Sequence, residues 1–347
     1  MRKKMTYVIG LCLLLFSATS CSDRDELYGH DAKVDLAITV AAGNPTSRAA
    51  LADAERINTL RVIVVSETTG SIEHNKLVYA GSAIDSYTTD RLSVKANDTK
   101  KIYLLANSED VPGLYPGSIS DTEGIGKLED FVLDNPLTAN GYVPSTAVHE
   151  IVVEDMDKDL TSTPLYVVHA ACKLTLEIEN KADGDVILTN WQLDKAANRS
   201  FLMPHIDEEK WMDIMFEDLE KDDNDDETDE GFVQWITAYE IPVNVSHEPL
   251  SSADGWEIKV AGGETSEFGL AYLHESRFLP EGKEEQEYEF SLKVNGVQRG
   301  PVKLPHLKSL VRNTHVVVHA TITSSDISWM VTVHPYGSYT LDPVFGL

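Results

Sequence analysis

Short runs in which apolar and polar residues alternate cover most of the chain, among them "LRVIVV", "NKLVYA", "RLSVKA", "KIYLLAN", "HEIVVED", "KLTLEIEN", "DVILTNWQL", "YEFSLKVNG", "THVVVHATI" and "WMVTVHP". Clusters of Gly, Pro, Asn, Asp and Ser separate them, so each reads as a strand bounded by turns. Near the start, "KVDLAITV" sets Val34, Leu36, Ile38 and Val40 on one face against Asp35, Ala37 and Thr39 on the other. Many short, evenly spaced strands predict an all-β chain built of antiparallel sandwiches. The polar stretch "DMDKDLTSTP", residues 155–164, interrupts the pattern and ends in proline, which makes it the predicted domain boundary. No fixed repeat runs through the chain.

The first 20 residues do not follow that pattern. Arg2, Lys3 and Lys4 precede the apolar run Val8–Phe16, and "SATS" leads into Cys21. The run is too short for a helix crossing ~30 Å of hydrocarbon, which takes ~20 residues, and it has the form of a signal peptide. "ATSC" resembles a lipobox, which implies cleavage before Cys21 and a lipid, palmitate included, on its sulfur. The acidic "SDRDE" behind it resembles the export signal of surface lipoproteins. The expectation is an outer-membrane lipoprotein held by lipid at Cys21 and exposed at the cell surface.

The 347 residues carry a formal net charge of −28, and loss of the three basic residues of the leader makes it more negative. That field repels nucleic acid, which is excluded as a partner. Of three cysteines, Cys12 leaves with the leader and Cys21 is acylated, so Cys172 has no partner for a disulfide. It shares strand parity with Leu174, Leu176 and Ile178 and reads as a core residue. Nothing points to an enzyme: no GxSxG, CxxC, Walker or GxGxxG string occurs, and no cofactor or metal is implied. His149, His247 and His274 each precede a glutamate but lack a second histidine four residues on. His315 and His319 share a strand face, yet four strand residues span ~13 Å, too far for one metal. The histidines are expected to be satisfied locally or by water.

The one biased segment, 207–230, holds 14 acidic residues against Lys210 and Lys221. Its first half groups Trp211, Met212, Ile214, Met215, Phe216 and Leu219, a spacing that suits a short amphipathic helix before a solvated loop. Asp222, Asn224 and Asp226 match the first three ligands of a calcium loop, but Glu227 replaces the turning glycine and Val233 the closing glutamate. A solvated acidic loop is the expectation.

Taken in order, "INTLRVIVVSETTG", "KKIYLLANSE", "VVHAACKLTLEIEN", "ILTNWQLDKAANRSFLMP", "LVRNTHVVVHATI" and "WMVTVHPYGSYTLDPVFGL" resemble the fimbrillin superfamily, the subunits of the Bacteroides-type (type V) pilus. His169 and Cys172 stand where relatives more often carry arginine and alanine, and 207–230 has the form of an insertion. The resemblance implies two tandem transthyretin-like antiparallel β-sandwich domains and assembly by donor-strand exchange after proteolysis by a trypsin-like, Arg-specific protease. The expected division is a signal peptide 1–20, a lipidated arm 21–48, an N-terminal sandwich 49–160 and a C-terminal sandwich 161–347.

Between "KVDLAITV" and the next strand lies "GNPTSR", a small, polar, turn-prone loop ending in Arg48. The expected cut follows Arg48, with Arg56 as the competing site, and it frees the strand bearing Val34, Leu36, Ile38 and Val40 from its groove. Burial of those four side chains at ~1.5 to 3 kcal/mol each corresponds to roughly 6 to 12 kcal/mol, an upper bound. The replacement strand is expected from another fimbrial subunit. Residues 336–347, with Tyr339, Leu341, Val344 and Phe345, are the donor candidate; Pro343 suits an edge or inserted strand. The function so read is a structural or tip subunit of an adhesive fimbria. The alternative is a surface glycan-binding lipoprotein of a polysaccharide-uptake locus, which requires exposed aromatic platforms; Trp191, Trp211, Trp235, Trp256 and Trp329 are scattered.

Overall fold

The computed structural model describes residues 32–42, 51–205, 242, 244–277, 288–304, 309–310, 312–324 and 326–335. Cys21, Arg48, Trp211, Trp235, the acidic segment 207–230 and Tyr339, Leu341, Val344 and Phe345 lie outside the described residues. The strands of the first half are β1 (Lys33–Ala42), β2 (Ile57–Ser66), β3 (Ile72–Ile84), β4 (Ser86–Thr88), β5 (Leu92–Lys95), β6 (Asp98–Ala106), β7 (Val132–Leu133), β8 (Ser145–Val153) and β9 (Lys158–His169). Those of the second half are β10 (Cys172–Asn180), β11 (Val186–Ala197), β12 (Ser200–Phe201), β13 (His247–Ser251), β14 (Glu257–Val260), β15 (Thr265–Leu273), β16 (Ser276–Arg277), β17 (Glu289–Val294), β18 (Val297–Lys303), β19 (Ser309–Leu310), β20 (Thr314–Ile322) and β21 (Ile327–Pro335). The all-β expectation holds, and every run quoted above as a strand lies in or overlaps one.

In the first sandwich one layer runs β3-β2-β6-β8, and β9 carries the sheet over into the other, where β1 lies between β9 and the short strands β4 and β5. Leu60, Val62 and Val64 of β2 and Ile102 and Leu104 of β6 pack inward against Leu36, Ile38, Leu92 and Val94. The alternate residues Ile63, Val65, Tyr103 and Leu105 are buried too, under helix α1 (Thr122–Glu129) and residues Leu202 and Met203. Burial on both faces is why β2 and β6 read as near-continuous apolar runs. Helix α1 escaped the strand pattern; Asp121 caps it by accepting from Gly124 N at 2.8 Å.

The second sandwich opposes β15-β10-β20-β21 to β13-β11-β17-β18, with β14 beside β11. Leu174, Leu176, Val316 and Val318 meet Leu188, Leu193, Phe290 and Leu292 in its core. A turn at Asn295 (φ 51°) and Gly296 (φ 76°) joins β17 to β18, the positive φ pair that a two-residue hairpin turn of matching twist requires.

Two pairings depart from the antiparallel expectation: β1 with β9, and β10 with β20, are parallel. Each sandwich thus pairs its first strand with a late one, and the intervening strands supply the long crossover a parallel pair needs. The stretch 155–164, read as the domain boundary, is largely strand. The boundary drawn at 160/161 falls inside β9, and the register beside β1 jumps from Ile38–Leu160 to Val40–Leu165. Residues 161–164 bulge out there, which accommodates Pro164 without a missing ladder bond. The chain passes between the sandwiches at Ala170 and Ala171, both buried.

Candidate functional site

The strand carrying Val34, Leu36, Ile38 and Val40 is seated in a slot rather than laid on an edge. Leu36, Ile38 and Val40 are fully buried and Val34 nearly so. On one side β1 pairs with β9; on the other it pairs with β5 from Lys33 to Leu36 and with β4 from Thr39 to Ala41. Where β4 gives way to β5, Thr89 continues the ladder, its N–H donating to Ile38 O at 2.9 Å and its hydroxyl accepting from Ile38 N at 3.4 Å.

Two polar residues of β1 also have fixed partners. Thr39, buried although it faces away from the core, donates its hydroxyl to Thr161 O at 3.1 Å in the bulge of β9. That donation uses its only hydrogen, so Thr88 Oγ1, at 2.8 Å, is the donor to Thr39. At the other end Asp35 N donates to Asp157 Oδ1 at 2.9 Å. Arg91 Nη1 reaches Asp35 at 3.5 Å and Asp157 at 3.4 Å in an exposed cluster.

Ala42, just before the interval 43–50, and Arg56, beyond it and just before β2, are fastened to one residue. Ala42 N donates to Asp85 O at 2.9 Å, and Arg56 Nε meets the Asp85 carboxylate at 2.7 Å. Arg56 also lies 3.5 Å from Asp53, and its carbonyl accepts from Asn107 Nδ2 at 2.8 Å. Its neighbour Glu55, 1% exposed, accepts from Ala52 N at 2.9 Å, from Lys173 Nζ at 2.9 Å and from Tyr272 Oη at 2.8 Å. Burial, followed by the Glu55 carboxylate, pushes the Tyr272 hydroxyl well above its ordinary range. Residues 52–56 are therefore bound to β10 and β15 of the second sandwich as well as to the first.

Other candidate residues are structural. Cys172 is fully buried, and burial pushes its thiol up to about 12. His169 and His274 are buried against Ser145 (2.7 Å) and Ser200 (2.9 Å), and burial lowers each to about 4. His149 contacts Tyr166 O at 3.0 Å, His315 the Thr175 hydroxyl at 2.8 Å and His319 Glu177 at 2.8 Å. Trp191 stacks on Phe290 with ring centroids 6.3 Å apart, Trp329 meets the same ring edge-on at 5.9 Å, and Trp256 packs against the same core. All three pack on the core, Trp191 buried and Trp256 and Trp329 partly so. Among the described residues, no group of three or more His, Cys, Asp and Glu side chains is placed to hold a metal ion.

Glu55, Arg91 and Arg312 drew no attention in the sequence, and Thr39 only as a residue of the outward face of its strand. Arg312, 0% exposed, pairs with Glu275 at 2.8 Å and donates to the carbonyls of Leu202 (3.1 Å) and Phe201 (2.7 Å). It thereby holds β12, which pairs with β7 of the first half. Its signal was a lone arginine beside an apolar run, which has no meaning until Glu275 and Phe201 are brought to it.

No protein-family model and no curated protein matches the chain. Solved structures do. The tip fimbrial protein Mfa3 from Porphyromonas gingivalis, with a C-terminal truncation, superposes with a TM-score of 0.54 at 14% identity, over 87% of this chain and 99% of that one. A protein from Parabacteroides distasonis named for cell adhesion gives 0.52 at 16% identity, over 91% and 99%. A fimbrial assembly protein from the same species gives 0.50 at 12% identity, over 87% and 99%. Nearly the whole of each relative is spanned by this chain, so the likeness extends over both sandwiches. In fold, this chain is similar to fimbrial and cell-adhesion proteins of Porphyromonas gingivalis and Parabacteroides distasonis.

Proposed function

We propose that the chain is a structural or tip subunit of a cell-surface fimbria, with no catalytic role, and that β1 is a plug removed by proteolysis. In this reading Cys21 carries the lipid that brings the precursor to the outer membrane and the cell surface. The two halves are transthyretin-like sandwiches that meet at Ala170–Ala171. Cleavage after Arg48 severs the only covalent link from β1 to the sandwich it fills. Another fimbrial subunit then supplies a strand to the vacated slot, while residues 336–347, with Tyr339, Leu341, Val344 and Phe345, enter the slot of a neighbour.

The observation that carries this reading is the double fastening at Asp85. Ala42 and Arg56 are held on either side of the interval 43–50, so a cut within it disturbs neither the seat of β1 nor the start of β2. Arg56 itself, hydrogen-bonded through side chain and carbonyl, is poorly placed to enter a protease cleft, which favours Arg48. Removal of β1 leaves unpaired backbone on β9 and on β4 and β5 together with an apolar trough, a template for a strand. Limited trypsin digestion of the folded precursor, with N-terminal sequencing of the large fragment, tests the cut. The expected fragment begins at Ala49; one beginning at Ile57 moves the site to Arg56, and resistance of the whole interval removes the mechanism.

A further inference from the structure

We infer that the slot of β1 selects its occupant by two polar contacts, accepting a strand with an acid at the position of Asp35 and a Ser or Thr at the position of Thr39. This rests on the reading of β1 as a removable strand and specifies what takes its place.

Apolar alternation alone does not define how a strand sits in this slot. A slip of one residue turns every apolar side chain outward and is rejected. A slip of two restores the faces, so the trough formed by Leu60, Ile102, Leu92 and Val94 tolerates it. The polar contacts do not. After a two-residue slip, Ala37 or Ala41 would stand where Thr39 now meets the carbonyl of Thr161 and the hydroxyl of Thr88. Those partners demand a group that donates once and accepts once within the volume of a short side chain, which describes a hydroxyl. The β9 bulge is what makes the Thr161 carbonyl available at one point of the slot, because residues 161–164 drop out of the ladder there. Arg91 adds a second mark four residues earlier. It lies between Asp35 and Asp157, so an incoming acid preserves the charge balance and a lysine reverses it. Being exposed, that pair orients the strand more than it tightens it.

The acceptable strand therefore reads apolar, acid, apolar, any, apolar, Ser or Thr, apolar. Val34–Val40 is the only window of this chain that fits. The C-terminal residues Leu341–Leu347 place Asp342 at the acid position but Gly346 at the hydroxyl position. The slot thus favours a strand from a different subunit over this chain's own C-terminal segment.

The test uses the full chain cut at Arg48 and a fluorescent synthetic peptide spanning residues 32–42, with dissociation measured after exchange. The parent peptide is expected to exchange in. A Thr39→Val peptide is expected to leave about fivefold faster, as is one in which the hydroxyl is moved to position 37. An Asp35→Lys peptide is expected to leave faster in low salt and to be restored by Arg91→Glu in the chain. Equal dissociation of all four peptides would overturn the selection rule while leaving the removable strand intact. Failure of the parent peptide to exchange, with β1 retained after cleavage, would overturn the removable strand and the rule together.

Discussion

Glu55 and Tyr272, 217 residues apart, share a hydrogen bond of 2.8 Å that joins the segment preceding β2 to the second sandwich. The same carboxylate holds Lys173 at 2.9 Å while 99% of its residue surface is covered, leaving it no water to fall back on. Because Lys173 keeps partial access to solvent, loss of the carboxylate strands one charge less completely than in a sealed pair. Glu55→Gln is expected to destabilise the chain by about 2 kcal/mol, read as a lower urea midpoint at unchanged slope. An unchanged midpoint would show that the joint does not depend on this carboxylate.

A larger effect is expected at Arg312. Its guanidinium is buried with Glu275 and closes the carbonyls of Phe201 and Leu202, so truncation leaves a buried charge and two acceptors unpaired. Arg312→Ala is expected to cost about 3 to 5 kcal/mol. Limited proteolysis near residues 200–203 should increase in the variant, since β12 would lose its hold; protection equal to wild type would contradict the assignment.

Acid should weaken the fold before its carboxylates titrate. His169 and His274, lowered to about 4 by burial, remain neutral in the fold, whereas in the unfolded chain they take protons below about 6.5. A depressed histidine contributes fully above pH 6.5, and its contribution is lost as pH falls from 6.5 towards 4. At pH 5 this is about 2 kcal/mol for each residue. Asp98 acts lower in the scale: burial raises it, but hydrogen bonds from Lys100, Ser66 and Thr68 outweigh that and hold it far below the usual carboxylate range. Urea midpoints at pH 7.5 and 5 check the sign, and His169→Gln should roughly halve the difference between them. Equal midpoints at the two pH values in the wild type would contradict it.

Deletion of residues 336–347 separates donation from self-completion. A donated strand belongs to the neighbour's sandwich, so the deletion is expected to leave the melting temperature within a degree or two of wild type. A drop of many degrees would show that these residues complete their own sandwich.

The strands were legible because each buries an alternating face or, in β2 and β6, both faces. Cys172 was legible for the same reason, its parity with Leu174 and Leu176 placing it in the core. Parity also found the four apolar anchors of β1, but not that the strand is flanked on both sides, since pairing partners lie up to 125 residues away, at Val40 and Leu165 and at Ala42 and Val167. The polar stretch 155–164 was misleading in a physically simple way. A bulge carrying Thr161 and Pro164 has the composition of a linker, and only its partner strand shows that the ladder resumes at Leu165. The roles of Thr39, Glu55 and Arg312 were silent because a buried polar residue is defined by the partner that satisfies it.

The central claim is that this chain enters a fimbria after losing β1, and the fimbriae sheared from producing cells test it most directly. Unboiled gels of that material should show a ladder of high-mass species that collapses on boiling to a chain beginning at Ala49. An Arg48→Gln variant should remain a monomer that still contains Lys33–Ala42. A ladder built from chains that retain Lys33–Ala42, or an Arg48→Gln variant that assembles like wild type with its arm in place, would contradict the account.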